Sequence, residues 1–413
     1  MKIIHTSDWH LGQSFFTKSR KAEHQAFLHW LLAQAEQQQV DAILVAGDVF
    51  DTGTPPSYAR ELYNEFVVAC NRLGVCLVVL AGNHDSVSVL NESRQLLACL
   101  NTYVVASVTD EPEHQLIALP KRNGSTGALL CAVPFIRPRD VLQSRAGDSG
   151  LTKRRALGTA ISQHYQQLYQ LALAKRQTLA QPLPIVATGH LSALGVSQSE
   201  SVRDIYIGTL DGFPADAFPP ADYIALGHIH RPQIVGKQPH IRYSGSPIPL
   251  SFDELGSAKQ VLLVQFANDQ LDTVTPLEVP RFQPMALLKG SLKELEQQLS
   301  SYPEQAEQPT WLSIEVALDD YLSDLQQRIQ ALCADKAVEV LQLRRARTRQ
   351  RQSLQQQQNE TLTELTPQQV FDRRLALENF DDENAGARKN RLEQLFHQVL
   401  AEVESGDSEE SPA

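Results

Sequence analysis

The sequence predicts a layered α/β domain over residues 1–280, a small α+β unit over 281–345 and a helical segment near the C-terminus. Three observations carry this. Short apolar runs alternate with helix-period segments as far as about Val279. A shorter strand–helix alternation resumes after Pro284. Strand signals then stop, and a Gln- and Arg-rich stretch leads into two amphipathic helices.

In chain order, strands are expected at residues 3–4, 42–46, 75–81, 130–133, 185–187, 223–226 and 261–266. Between the first three, Phe27, Trp30, Leu31 and Ala35 repeat with a period near 3.6, as do Leu62, Phe66, Ala69 and Leu73. The small unit should hold strands at 285–288, 312–316 and 338–343, with helices at 292–299 and 321–332. Residues 346–362 read as a polar linker centred on Gln355 to Gln358. A helical segment at 363–403 opens with Thr366 as N-cap, Pro367 in the first turn and Gln369 at the capping-box position. Its second helix carries Leu392, Leu395, Phe396, Val399, Leu400 and Val403 on one stripe. The last ten residues, with Glu404, Asp407, Glu409 and Glu410, read as an acidic disordered tail.

With 413 residues, 42% hydrophobic and 21% charged, the composition is that of a globular protein. No apolar run approaches the roughly 18 residues of a membrane span, so no membrane association is expected. The first polar motif directly follows a strand only a few residues in, so a cleaved signal peptide is not expected. Cys70, Cys76, Cys99, Cys131 and Cys333 lack metal-type spacing and read as buried free thiols of a reducing cytoplasm. The net charge of −11 weighs against a nucleic-acid partner, but charge is unevenly spread. Arg137, Arg139, Arg145, Lys153 and Arg154 form one basic stretch; Arg344, Arg345, Arg347, Arg349 and Arg351 form another. The second could grip phosphates or form a solvated helix face.

Five segments share one design, an apolar strand ending in a ligand-type side chain. They are Asp8-Trp9-His10, Gly47-Asp48, Gly82-Asn83-His84-Asp85, Gly189-His190 and Gly227-His228-Ile229-His230. Alternation in extended chain lets Asp8 and His10 face one side while Trp9 packs away, and lets His228 and His230 do likewise. Asn83 and His84 are adjacent and must diverge, so one can bind metal while the other reaches a reacting group. Alone, a Gly-Asp or Gly-His after a strand is usually a turn; the ordered set points to a metal site. Asp8 and Asp48 are anionic, whereas His10, Asn83, His190, His228 and His230 are neutral as ligands. Two divalent cations would leave the site at about +2, suited to a hydroxide and a phosphodiester. His24, His29, His164 and His397 lie on helical patterns and are expected at the surface; His5 is expected to be a strand residue.

These blocks match the D-x-H, G-D, G-N-H-D, G-H and G-H-x-H pattern without departure, and the chain resembles the calcineurin-like metallophosphoesterases over residues 1–280. The phrases from His5 to Gly12, Gly47 to Asp51 and Tyr243 to Pro247 extend the resemblance to the SbcD nuclease family. The implied architecture is a metallophosphoesterase domain, a small capping, DNA-binding domain and a helical partner-binding segment. The implied ligands of one metal are Asp8, His10, Asp48 and His230, and of the other Asp48, Asn83, His190 and His228. His84 would be the general acid or phosphate-orienting group, with Asp85 as its supporting partner. The resemblance implies two divalent ions, Mn²⁺ in the family, though the ligands also suit iron or zinc. It further implies a cytoplasmic, nucleoid-associated exonuclease and endonuclease of DNA ends and hairpins in repair and recombination. Its partner would be an SbcC-type SMC-like ATPase held by the C-terminal helices, with two nuclease subunits in a heterotetramer. A phosphatase or small-molecule phosphodiesterase would share the metal ligands but not need the capping domain or C-terminal helices.

Overall fold

The computed structural model describes residues 1–109, 111–142, 150–179, 181–203, 205, 212–317, 325–345, 391–392 and 395–396. Residues 1–344 form one compact unit and 345–413 a second. The linker, the Thr366 cap, Val399, Leu400 and Val403 of the amphipathic stripe, the acidic tail, Arg145, and the side chains of Lys153 and Arg154 lie outside the described residues.

Two six-stranded sheets stack face to face. The first runs in the order Gln270–Glu278, Gln260–Ala267, Lys2–Thr6, Ala42–Ala46, Cys76–Leu80, Thr102–Val105. The second runs Gln233–Val235, Gln238–Tyr243, Tyr223–Gly227, Ile185–His190, Thr126–Cys131, Leu116–Pro120. Strand Ala42–Ala46 shows why the layers form. Ile43 and Val45 face helices Lys21–Gln37 and Ser57–Arg72, while Ala42 and Leu44 face the second sheet. Both faces are apolar, so the strand is fully buried. The outer face of the second sheet is covered by helix Gly150–Gln177 through Leu157, Ile161, Tyr165 and Leu168. The result is a four-layer α/β/β/α sandwich.

Parallel pairing sets the register that matters. Ile3 pairs with Ala42, Ala46 with Leu80, and Gly227 with His190. The carboxyl ends of these strands therefore lie together at one edge of the two sheets.

The small lobe has a sheet ordered Met285–Gly290, Thr310–Val316, Val338–Arg345, with its own core of Leu288, Leu295, Leu312, Ile314 and Ile329. Helix Leu292–Leu299 starts with a capping box: Ser291 N donates to Glu294 Oε2 at 2.7 Å, and Glu294 N to Ser291 Oγ at 3.4 Å. A second cluster of Phe15, Phe252, Met285 and Trp311 joins this lobe to the large one. Phe15 stacks on Trp311 at 5.7 Å between ring centroids.

Several expectations are corrected. His24 and His164 are buried rather than superficial, because each sits on the inner face of its helix. Cys70, Cys76 and Cys131 are buried, but Cys99 is exposed and Cys333 half-buried. Edge strands Leu116–Pro120 and Gln233–Val235, and Gln238–Tyr243 beside the latter, have no counterpart among the expected strands.

Candidate metal centre

The five strand ends converge as the register requires. Their backbones are unusual: Asp8, His10, Asp48 and His228 have φ of 54°, 48°, 50° and 94°, the left-handed region that non-glycine residues avoid. Four such residues at one place mark a site where surrounding structure holds strained backbone for a purpose. The glycines beside them are required by space. A Cβ on Gly47 would lie 2.2 Å from His190 Nδ1, and one on Gly82 would lie 2.1 Å from Asp48 Oδ1.

The side chains form three overlapping groups whose ligand atoms lie within 4.8 Å of one another: Asp8, His10 and His230; His10, Asp48 and His84; Asp48, His190 and His228. Asp48 Oδ2 stands 3.7 Å from His10 Nε2 and 3.3 Å from His190 Nε2, between the two halves of the centre. Asn83 Oδ1 lies 2.9 Å from His190 Nε2 and 3.0 Å from His228 Nδ1, which places it with the second half. All seven candidate ligands are therefore brought together.

Three of the four candidate imidazole ligands are oriented from behind. His10 Nδ1 is 3.1 Å from Asp51 Oδ1, His190 Nδ1 is 2.9 Å from the Ala46 carbonyl oxygen, and His230 Nδ1 is 2.6 Å from Ser201 Oγ and 3.3 Å from Glu254 Oε1. Such partners fix the tautomer and leave Nε2 to face the centre. Asp8 receives Ser7 Oγ at 2.5 Å and the His228 amide at 2.9 Å.

The electrostatics of the cluster ask for a cation. Burial works against the charge on Asp48, yet the neighbouring His190 and His10 hold its carboxyl well below the usual range. Burial also disfavours a proton on His190, but the Asp48 carboxylate outweighs it and lifts the imidazole to about 9. His228, in the same cluster, is pushed well down by burial and by its neighbour His190. The buried Nε2 atoms of His10 and His228 have no hydrogen-bond partner. Buried lone pairs without donors are costly, and a divalent cation satisfies them while taking the place of the proton on His190. The residues present fit a metal.

Residues 1–232 match the family model described as calcineurin-like phosphoesterase, and residues 281–379 the one described as type 5 capsule protein repressor C-terminal domain. The chain is 57% identical over 401 residues to the SbcD subunit of the SbcCD nuclease of Escherichia coli strain K12, covering 97% of this chain and 98% of that one. The chain belongs to the SbcD nuclease family. Other relatives of the same name are 36% identical in Rhodobacter capsulatus, over 70% of this chain and 71% of that one, and 31% identical in Bacillus subtilis, over 78% and 81%. As an SbcD-family nuclease the chain is a metal-dependent phosphodiester hydrolase.

In this SbcD-family chain His84 borders the seven candidate ligands but is held differently from them. Its Nδ1 is 2.7 Å from the Asp51 carbonyl oxygen, its amide donates to Asp48 Oδ1 at 2.9 Å, and its ring meets His10 edge-on at 4.6 Å. Burial lowers its pKa. The expected support of His84 by Asp85 is corrected. The Asp85 carboxylate instead accepts the backbone amides of Val49 at 3.1 Å, Phe50 at 2.9 Å and Gly82 at 2.8 Å. It is short and points back into the fold, so it pins the Asp48 loop to the Asn83 loop. Burial pushes it up to about 6 despite those three donors.

Sequence reasoning missed Asp51, Ser201, Glu254 and Lys259. Glu254 is fully buried and salt-bridged to Lys259 Nζ at 2.6 Å, and Lys259 Nζ also donates to the His230 carbonyl oxygen at 3.0 Å. Asp51 stood within a family-like phrase. Glu254 and Lys259 carried no local signal, since their partner His230 is distant in sequence. Tyr243 and Ser244, at the start of another such phrase, brace the centre. Tyr243 OH donates to the Leu191 carbonyl oxygen at 2.7 Å, and Ser244 Oγ meets Ser7 Oγ at 2.9 Å.

Proposed function

We propose that the chain is a DNA exonuclease and endonuclease that binds two divalent ions, Mn²⁺ foremost, and cuts the phosphodiester by water attack. The observation that carries this is the position of Asp48, whose Oδ2 lies between His10 Nε2 and His190 Nε2 and is shared by two ligand groups. Asp8, His10, Asp48 and His230 would hold one ion, and Asp48, Asn83, His190 and His228 the other. Bound there, the ions supply Lewis-acid polarisation of the phosphoryl oxygen and of the attacking water.

The chain's own residues do the rest. Asp51 and Glu254 keep the His10 and His230 rings turned toward the centre. With Nδ1 engaged by the Asp51 carbonyl oxygen, His84 offers Nε2 to substrate. An arriving phosphodiester anion favours the protonated ring, which can donate to the leaving 3′ oxygen.

The resemblance supports an SbcC-type ATPase as partner, and so does the name the relatives share, which makes each of them one part of an SbcCD nuclease. The C-terminal helices are the proposed contact, with two nuclease subunits in the assembly and a place in DNA repair at the nucleoid. No helix among the described residues is long and apolar enough to cross a membrane. The test is hydrolysis, with Mn²⁺, of single-stranded DNA, a DNA hairpin and a phosphate monoester. Both DNAs should be cut and the monoester spared; preference for the monoester would assign a calcineurin-like phosphatase instead.

A further inference from the structure

A cleft of about 280 Å³ opens between the large and small lobes. Phe15, Phe16 and Phe252 line one part of it; Ser201, Gln342 and Arg344 line another. It adjoins the candidate metal centre. Ser201 Oγ lies 2.6 Å from His230 Nδ1, and Gln13, also at the cleft, donates its amide to the His10 carbonyl oxygen at 3.0 Å. The cleft thus borders the two histidines of one half of the centre.

Its aromatic wall is built to present one ring. Phe16 sits at the tip of the hairpin formed by Ser14–Phe15 and Lys18–Ser19, with φ of 46° at Phe16 and 73° at Thr17. It is 42% exposed, unlike Phe15 and Phe252 beneath it, whose ring centroids are 5.1 Å and 5.8 Å away. The hairpin is tied to the small lobe by Lys18 Nζ on Glu339 at 2.8 Å and by the Phe15–Trp311 stack. An aromatic left half in water on a braced support is a ready stacking platform. Also lining the cleft, Arg344 meets the exposed Glu200 carboxylate at only 3.4 Å and 3.5 Å, a loose pair that a phosphate can replace.

We propose that this cleft binds one unstacked nucleoside of a single DNA strand, next to the phosphodiester held at the metal centre, with the base on Phe16 and its phosphate on Arg344. The proposal rests on the nuclease reading above. The volume lies just under the roughly 300 Å³ at which pockets begin to take drug-sized ligands, room enough for one nucleoside. Aromatic stacking accepts any base, and the amide of Gln342 offers both donor and acceptor to whichever edge arrives. A strand entering as duplex would have to release this nucleotide from its stack.

The experiment uses the full chain and single-stranded oligonucleotides carrying 2-aminopurine at successive positions. Binding is read by fluorescence in EDTA, so it is independent of catalysis. One position should show strong quenching, lost in Phe16→Ala and retained in Phe16→Trp. In Mn²⁺, the kcat/KM ratio of oligonucleotide to bis(p-nitrophenyl) phosphate should fall about tenfold in Phe16→Ala, the scale of one lost stacked base, and severalfold in Arg344→Ala. Uniform fluorescence along the oligonucleotide, or an unchanged ratio in both variants, would overturn the proposal. Failure to cut either diester would instead sink the nuclease reading, while the fluorescence result would still decide the cleft.

Discussion

Replacing Glu254 with Gln should separate the stability of the fold from the affinity of the metal centre. In the native chain Glu254 Oε2 accepts Lys259 Nζ at 2.6 Å and the Leu250 amide at 2.9 Å. Oε1 accepts Ser199 Oγ at 2.7 Å and the Ser201 hydroxyl, and lies 3.3 Å from His230 Nδ1. Burial opposes the carboxylate's charge, but the His230 hydrogen bond and the Lys259 ammonium hold its pKa well below the ordinary value. Removing one charge of a buried pair costs about 3–5 kcal/mol, because the other is stranded. Lys259 would keep the His230 carbonyl oxygen at 3.0 Å and Ser246 Oγ at 2.7 Å. The cost should therefore sit at the low end, about 3 kcal/mol. The same change weakens the acceptor behind His230, and loss of such a partner lowers metal affinity by about 10–100-fold. Urea unfolding of EDTA-treated protein reads the first effect, and calorimetric titration with Mn²⁺ the second. The double variant Glu254→Gln/Lys259→Met removes the stranded charge and should regain most of the stability but not the affinity. Native Mn²⁺ affinity in the single variant, or affinity that returns together with stability in the double, would show that the network serves the fold alone and refute the reasoning.

EDTA should abolish cutting, with Mn²⁺ restoring it better than Mg²⁺, because imidazole-rich sites suit hard Mg²⁺ poorly. Asp48→Ala should lose both ions by elemental analysis, and two fully bound ions there would remove Asp48 from the shared position. His84→Gln should retain both ions and DNA binding while turnover falls roughly 10²-fold or more; loss of an ion with activity would make His84 a ligand. Gly82→Ala should displace Asp48, since the new Cβ would fall 2.1 Å from its Oδ1, and so deplete metal, whereas Gly256→Ala meets nothing within 4 Å and should bind metal normally. Removing residues 363–413 should abolish co-purification with an SbcC-type ATPase and leave Mn²⁺-dependent cutting of short single strands in place; undiminished co-purification would put the partner surface elsewhere.

The side chains that converge at the candidate metal centre were legible in the sequence because each is announced locally. An apolar run as short as residues 42–46, rich in β-branched residues and closed by Gly47, suits a buried strand, and the polar residue just after it sits at a strand's carboxyl end. Helix Leu292–Leu299 was legible for the same reason, since Ser291 and Glu294 signal its start within four residues. Helix Gly150–Gln177 was not singled out, although Leu157, Ile161, Tyr165, Leu168 and Ala172 keep helical spacing and bury against the sheet. His24 and His164 were misjudged because polarity does not tell which helix face turns inward.

What the sequence by itself determined, then, is the α/β class, most of the central strands and the ligand-type side chains at their carboxyl ends, since these follow from propensities and periodicities acting over a few residues. What only the tertiary structure decided is who stands behind whom. Asp85 turned out to bind the amides of Val49, Phe50 and Gly82 rather than His84. Glu254 and Lys259 came to flank His230, and Phe16 was left open beside a small lobe more than 250 residues away in sequence. The physical reason is that a buried charge or an aromatic ring is satisfied by whichever group the packed sheets bring within a few ångströms, and that pairing leaves no mark in the local sequence.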